Sequence, residues 1–194
     1  PSTGLPTQSE QADLDQALYG MHGDAPHLVL APISIADCSF STEWASRLAE
    51  RLQTAAILLS DQVLGQTQAT IDPPPDCPPV PARKGAGTAE GSDFARYVLT
   101  ADGISPMPIP GQPGCTYTAD GLEHDPCGTP SSRASDHVRQ LAKRRDKLLV
   151  YEYGEAWAEI DRGEPQKTAP IESSQAERPQ AGPLRLSLLT WGSS

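Results

Sequence analysis

The densest run of reactive side-chain types lies between Cys115 and Cys127, a loop-rich stretch that also holds Glu123 and His124. Two thiols and an imidazole are zinc-ligand types, so Cys115, His124 and Cys127 form one candidate metal set. None of the four cysteines (Cys38, Cys77, Cys115, Cys127) makes the C-x-x-C pair that structural zinc sites use. The favoured reading is therefore free thiols beside an unrelated histidine, with no metal. Glu123 and His124 are acid–base types in a polar loop. His22, between Gly20 and Gly23, reads as a loop histidine rather than a proton shuttle. Asp61 and Gln62 follow an apolar run of strand length, at the carboxyl end where open α/β sheets bind ligands. Capping of the following segment is their equal alternative. No complete set of acid, base and nucleophile is present.

These residues need elements to position them. Thr7 and Glu10 have capping-box spacing ahead of a helix from about Ser9 to Tyr19, which Gly20 should close in a left-handed conformation. His27 to Ala31 is an apolar run expected to form a buried strand. Ser34 and Asp37 signal a helix from about Ser34 to Gln53, with Ile35, Cys38, Ala45, Leu48, Ala49 and Leu52 on its buried face. Glu43, Arg47, Glu50 and Arg51 lie on the opposite face. Ala55 to Asp61 reads as a second buried strand, so strand, helix and strand make a parallel βαβ unit.

Beyond it the pattern loosens. Residues 62–93 hold Asp72-Pro-Pro-Pro-Asp-Cys-Pro-Pro-Val-Pro81, which the prolines force into extended backbone, and read as a solvated insertion. Arg96 to Thr100 suggests a short strand. Gly103 to Gly114 is too rich in Pro and Gly for regular structure, and ordered loops of that length usually serve a function. A last helix is expected from Ser131 or Ser132 to about Leu149. Val138, Leu141, Ala142, Leu148 and Leu149 form its apolar side, and Arg139, Lys143, Arg144, Arg145 and Lys147 form a basic face that is solvated or docks an acidic partner. Residues 164–183 read as a polar, Pro-rich linker. Leu184 to Trp191 looks like the first strand of another domain.

The 194 residues include 20 Pro and 16 Gly, with 37% apolar and 5% aromatic residues, so a modest core with much loop is expected. A net charge of −10 argues against nucleic acid as a partner. No apolar run approaches the roughly 20 residues of a membrane span and no signal peptide is evident, so a cytoplasmic protein is expected. The chain starts at Pro1 rather than Met and closes on a lone apolar run. It is expected to be an excerpt of a larger subunit, inactive alone.

Several motifs carry a resemblance. Pro1-Ser-Thr-Gly-Leu-Pro-Thr7, Glu10 to Asp13 and Ala17-Leu-Tyr-Gly-Met-His-Gly23 come first. They are followed by Leu28-Val-Leu-Ala-Pro32, Asp37-Cys38, Leu59-Ser-Asp-Gln62, Thr100-Ala-Asp-Gly-Ile-Ser-Pro106 and Gly121-Leu-Glu-His-Asp125. In order and spacing they resemble the alpha subunit of 2-oxoacid:ferredoxin oxidoreductases, the 2-oxoglutarate branch most. Two departures stand out: residues 62–94 are unusually rich in Pro and Gly, and Cys127 falls where an acidic residue often follows the His-Asp pair.

The resemblance implies an α/β fold. Residues 1–163 would be the later part of the pyrimidine-side thiamine-diphosphate domain, 164–183 a linker and 184–194 the opening of a transketolase C-terminal-like domain. It also implies oxidative decarboxylation of a 2-oxoacid to acyl-CoA and CO2, with electrons passed to ferredoxin. Thiamine diphosphate, Mg2+ and a [4Fe-4S] cluster would be held mainly by a beta subunit, with coenzyme A as co-substrate. The catalytic Glu and a substrate-gripping Arg would precede Pro1. Ser2, Thr3 and Gly4, beside that Arg, would line the substrate carboxylate, unless Pro1 to Pro6 only makes a tight turn. Glu123 and His124 would act on substrate or seal the pocket, with a surface or structural role as the alternative. A non-catalytic scaffold of the same fold, binding a partner subunit, is the competing function.

Overall fold

The structure is a computed structural model and describes residues 13–87 and 94–154. The Thr7–Glu10 box, Ser2 to Gly4, the 164–183 linker and the 184–191 strand all lie outside the described residues.

The centre is the βαβ unit. Strand β1 (Leu28–Leu30) pairs in parallel with β2 (Ala56–Leu58), in the register Leu28–Ala56, Val29–Ile57 and Leu30–Leu58. Ladder bonds run from Leu28 N–H to the Ala55 carbonyl (3.0 Å) and from Leu59 N–H to the Leu30 carbonyl (2.8 Å). Helix α2 (Ile35–Leu52) forms the crossover. Ser34 caps its start, accepting from Asp37 N–H at 3.1 Å, while the Asp37 carboxylate accepts from Ile33 N–H at 2.9 Å. Two otherwise orphaned donors are satisfied in this way.

Leu48 and Leu52, 1% and 0% exposed, anchor the core with Leu30, Trp44, Ala45, Cys77 and Ile104. Trp44 and Ser41 belong to the buried face although the sequence pattern omits them, whereas Ile35 and Cys38 are only half-buried. Trp44 meets the edge of Tyr153, with centroids 6.4 Å apart, which brings the chain after the last helix back over α2.

Five expectations need correction. Gly20 closes α1 (Asp13–Tyr19) without a left-handed backbone. Its N–H bonds the Gln16 carbonyl at 2.8 Å, and a Cβ would lie 2.7 Å from that oxygen, so close approach is what demands glycine. Both strands are shorter than their apolar runs. They are largely half-buried rather than buried, because the described residues cover the sheet incompletely. Arg96–Thr100 is not a strand; its backbone turns at Arg96 and Tyr97, and the buried Arg96 side chain is put to polar use. Within 62–87 a short helix α3 (Gln62–Gln66) forms, and Cys77 reaches the core instead of solvent.

The fifth correction concerns α4 (Ala134–Leu149). Val138 and Leu149, assigned to its buried side, are 63% and 72% exposed, while Asp136, Gln140 and Lys147 are buried. The inward stripe runs Asp136, Gln140, Lys143, Lys147 at helical spacing, with Leu148, as expected, packed against the hydrophobic core beside it. It faces irregular chain, where backbone groups rather than apolar side chains await partners.

Gly103 tests this packing. Its φ is +67°, and a Cβ there would lie 2.7 Å from Lys147 Cβ and 3.0 Å from the Lys143 carbonyl. Gly23 has φ +82° with nothing within 4 Å. Gly103→Ala should therefore lower stability in urea unfolding well beyond Gly23→Ala, which carries only the backbone penalty of about 1 kcal/mol. Equal losses would mean that the loop does not press on α4.

Candidate functional site

The chemically loaded residues converge where α4 meets the end of α2. Gln53, the C-cap of α2, adopts a left-handed conformation (φ 49°, ψ 56°), rare for a residue with a side chain. That turn exposes its carbonyl to Lys147 Nζ (2.9 Å) and frees its side chain to bridge two loops. The Gln53 amide accepts from Arg96 (2.7 Å) and donates to the Ser105 carbonyl (2.8 Å). Lys143 Nζ donates to the Tyr97 carbonyl (3.1 Å), as does the Gln140 amide (3.0 Å). Burial pushes the Lys147 ammonium down to about 8, with repulsion from Arg144 and Arg96 adding to it. Burial likewise pushes Lys143 down to about 8, with Arg96, Lys147 and Arg144 contributing. The carbonyls ending α2, at the negative end of the helix dipole, favour these cations.

The stretch Cys115 to Cys127 is held by the same helix. Glu123 accepts from both Arg144 amino groups (3.2 and 2.7 Å), from His137 Nδ1 (2.9 Å) and from His124 N–H (3.2 Å). Burial alone would raise its carboxyl, but Arg144 and His137 outweigh burial and hold it down at about 2. His124, 6% exposed, stacks flat on Tyr97 with centroids 4.6 Å apart, its Nε2 3.0 Å from the Asp120 carboxylate. In this arrangement Glu123 acts as a counter-ion and His124 as a packed ring.

Cys115 is buried and Cys127 exposed. Among the described residues no group of three or more His, Cys, Asp or Glu side chains could hold a metal ion, so these cysteines and His124 do not assemble one. At the carboxyl end of the strands, Asp61 caps α3 by accepting from Leu64 N–H (2.8 Å), and Gln62 opens that helix. Close by, burial raises the Cys38 thiol, helped by Asp37 and Asp61. His22 is exposed. The sequence reading missed Gln53, Arg96 and His137. The signal available was the buried-stripe spacing of α4, read in polar rather than apolar residues.

Glu123 gives this site a pH signature. Its folded carboxyl lies below its unfolded value, so the stabilisation is complete above about 4.5 and disappears as pH falls through about 2. Glu123→Gln should cost on the order of 3 kcal/mol in urea unfolding near neutrality and much less near pH 2. A loss independent of pH would show that the Arg144–His137 cluster does not act through charge.

Comparison with known proteins places this geometry. The family model "Pyruvate flavodoxin/ferredoxin oxidoreductase, thiamine diP-bdg" matches residues 1–144. The chain is 38% identical over 152 residues to the 2-oxoglutarate oxidoreductase subunit KorA of Mycobacterium tuberculosis, covering 76% of this chain and 23% of that protein. It is 34% identical over 152 residues to the 2-oxoacid:ferredoxin oxidoreductase 1, subunit alpha, of Sulfurisphaera tokodaii, covering 77% of this chain and 24% of that one. A solved 2-oxoglutarate:ferredoxin oxidoreductase from Magnetococcus marinus, with 2-oxoglutarate, coenzyme A and succinyl-CoA bound, superimposes with a TM-score of 0.68. That match is 40% identical and covers 78% of this chain and 27% of the other. The chain spans about a quarter of the length of these relatives. With its parallel βαβ centre and the match over residues 1–144, it belongs to the pyruvate flavodoxin/ferredoxin oxidoreductase family, within the thiamine-diphosphate-binding domain.

Proposed function

We propose that this chain forms part of the alpha subunit of a thiamine-diphosphate-dependent 2-oxoacid:ferredoxin oxidoreductase, with 2-oxoglutarate as substrate. The observation that carries the reading is the joint sequence and fold likeness to the Magnetococcus marinus enzyme, whose structure holds 2-oxoglutarate and succinyl-CoA. The reaction is oxidative decarboxylation to acyl-CoA and CO2, with electrons delivered to ferredoxin. Thiamine diphosphate, when bound, supplies the electron sink that makes loss of CO2 from a 2-oxoacid feasible.

The described residues contribute placement. Mg2+ and an iron–sulfur cluster are assigned in this reading to a beta subunit. Lys143, Lys147, Arg96 and Gln53 fix the loops 96–105, and Glu123 with His124 fixes 120–131. We assign these residues to positioning the pocket wall and excluding water. Ser2, Thr3 and Gly4 are assigned to the substrate carboxylate, and residues 1–163 to one domain followed by a linker and a second domain. Among the described residues no helix is long and apolar enough to cross a membrane.

The test is the whole subunit co-expressed with its beta partner and assayed for viologen reduction. Reduction dependent on both 2-oxoglutarate and coenzyme A, and weaker with pyruvate, is expected. Preference for pyruvate would overturn the substrate. No reduction with any 2-oxoacid, despite bound thiamine diphosphate, would favour the scaffold reading.

A further inference from the structure

His137 is a residue that neither the sequence pattern nor the proposed chemistry uses. It lies on the first half of α4, and each of its two ring nitrogens meets a carboxylate. Nδ1 is 2.9 Å from Glu123, and Nε2 is 2.9 Å from Asp24, which lies 113 residues away in the loop joining α1 to β1. A neutral imidazole carries one N–H, so it can donate to only one of them, and its lone pair would then face the other anion. Two carboxylates at hydrogen-bond distance from both nitrogens therefore require an imidazolium.

We propose that protonated His137 is a latch fastening the loop Gly20–Pro26 to α4, and that its deprotonation releases that loop. The two carboxylates are unequally held. Glu123 keeps both Arg144 bonds and the His124 N–H whatever His137 does. Asp24, 57% exposed in its side chain, has His137 as its ion-pair partner. The bond to Asp24 is thus the one that gives way. The groups facing the imidazole are Asp24 from the loop and Glu123 from the segment before α4, with Arg144 of α4 behind Glu123. The hydrogen bond to Glu123 and the charge of Asp24 both raise the His137 pKa above its ordinary value. The tether is therefore complete below the unfolded pKa and lost as pH rises through the higher folded one.

What the latch holds is the wall of a cleft. The loop, with the end of α1, lines an open cavity of about 300 Å3 bounded by Leu18, Tyr19, Met21, Gly23, Asp24 and His27. His27 fixes one end of this wall by bonding the Ala17 carbonyl at 2.5 Å. Asp24, on the other side, has its ion pair among the described residues with His137. Release would leave the His27 end seated and let the Gly23–Ala25 segment move. Gly23, at φ +82° with no neighbour within 4 Å, offers no steric resistance.

The test is hydrogen exchange of the whole protein, read by mass spectrometry on peptides spanning 18–27, at about pH 6 and about pH 9 after correction for base-catalysed exchange. Protection of this peptide should fall with rising pH by about two- to fivefold, the worth of the exposed His137–Asp24 ion pair that opening breaks. Peptides from α2 should not change. His137→Gln and Asp24→Asn should both show the high-pH protection at either pH. Glu123→Gln should retain part of the pH dependence through Asp24. Protection of 18–27 that is equal at both pH values, or pH dependence that survives in His137→Gln, would overturn the latch. This outcome is independent of activity, so it does not stand or fall with the proposed reaction.

Discussion

Everything in this region depends on how the irregular chain between residues 94 and 131 satisfies its own backbone. Without ladder partners, the carbonyls of Tyr97 and Ser105 in that chain, and of Gln53 where α2 meets it, would lie unpaired, each at a cost of up to about 1–3 kcal/mol. Donors come from Lys147 and Lys143 on α4 and from the Gln53 amide. A helix presenting an apolar stripe could not do this. The same constraint explains why two ammonium groups are tolerated indoors: each is spent on a carbonyl, and α2 ends beside one of them.

The sequence was legible where burial is apolar. The βαβ order, the Ser34–Asp37 cap and the ends of α2 follow from period and capping chemistry; the structure matches the helix to within a residue or two, while both strands are shorter than expected. It was opaque where burial is polar. Val138 and Leu149 read as inward because apolar periodicity was the only guide, yet Asp136, Gln140 and Lys147 hold that place. Arg96–Thr100 has strand composition, but its backbone turns so that Arg96 can reach Gln53. Glu123 and His124 stood out by type alone. Their partners Arg144, His137 and Tyr97 lie 14 to 27 residues away in sequence and are brought together only by folding.

Among the described residues, several large apolar side chains stay open to solvent. Val138, Leu149 and Val150 lie outward on or just after α4, and the two-stranded sheet is only half-covered. A wall built this way can be rigid at its polar junction while its outer face remains free to dock.

An experimental structure of the complete subunit tests the central claim most directly, because it shows which face of α4 meets the C-terminal end of α2. Expected is Lys147 Nζ on the Gln53 carbonyl, with Gly103 against the helix and Val138 turned away. Density placing Val138 and Leu149 against α2, with Lys143 and Lys147 in solvent, would contradict it.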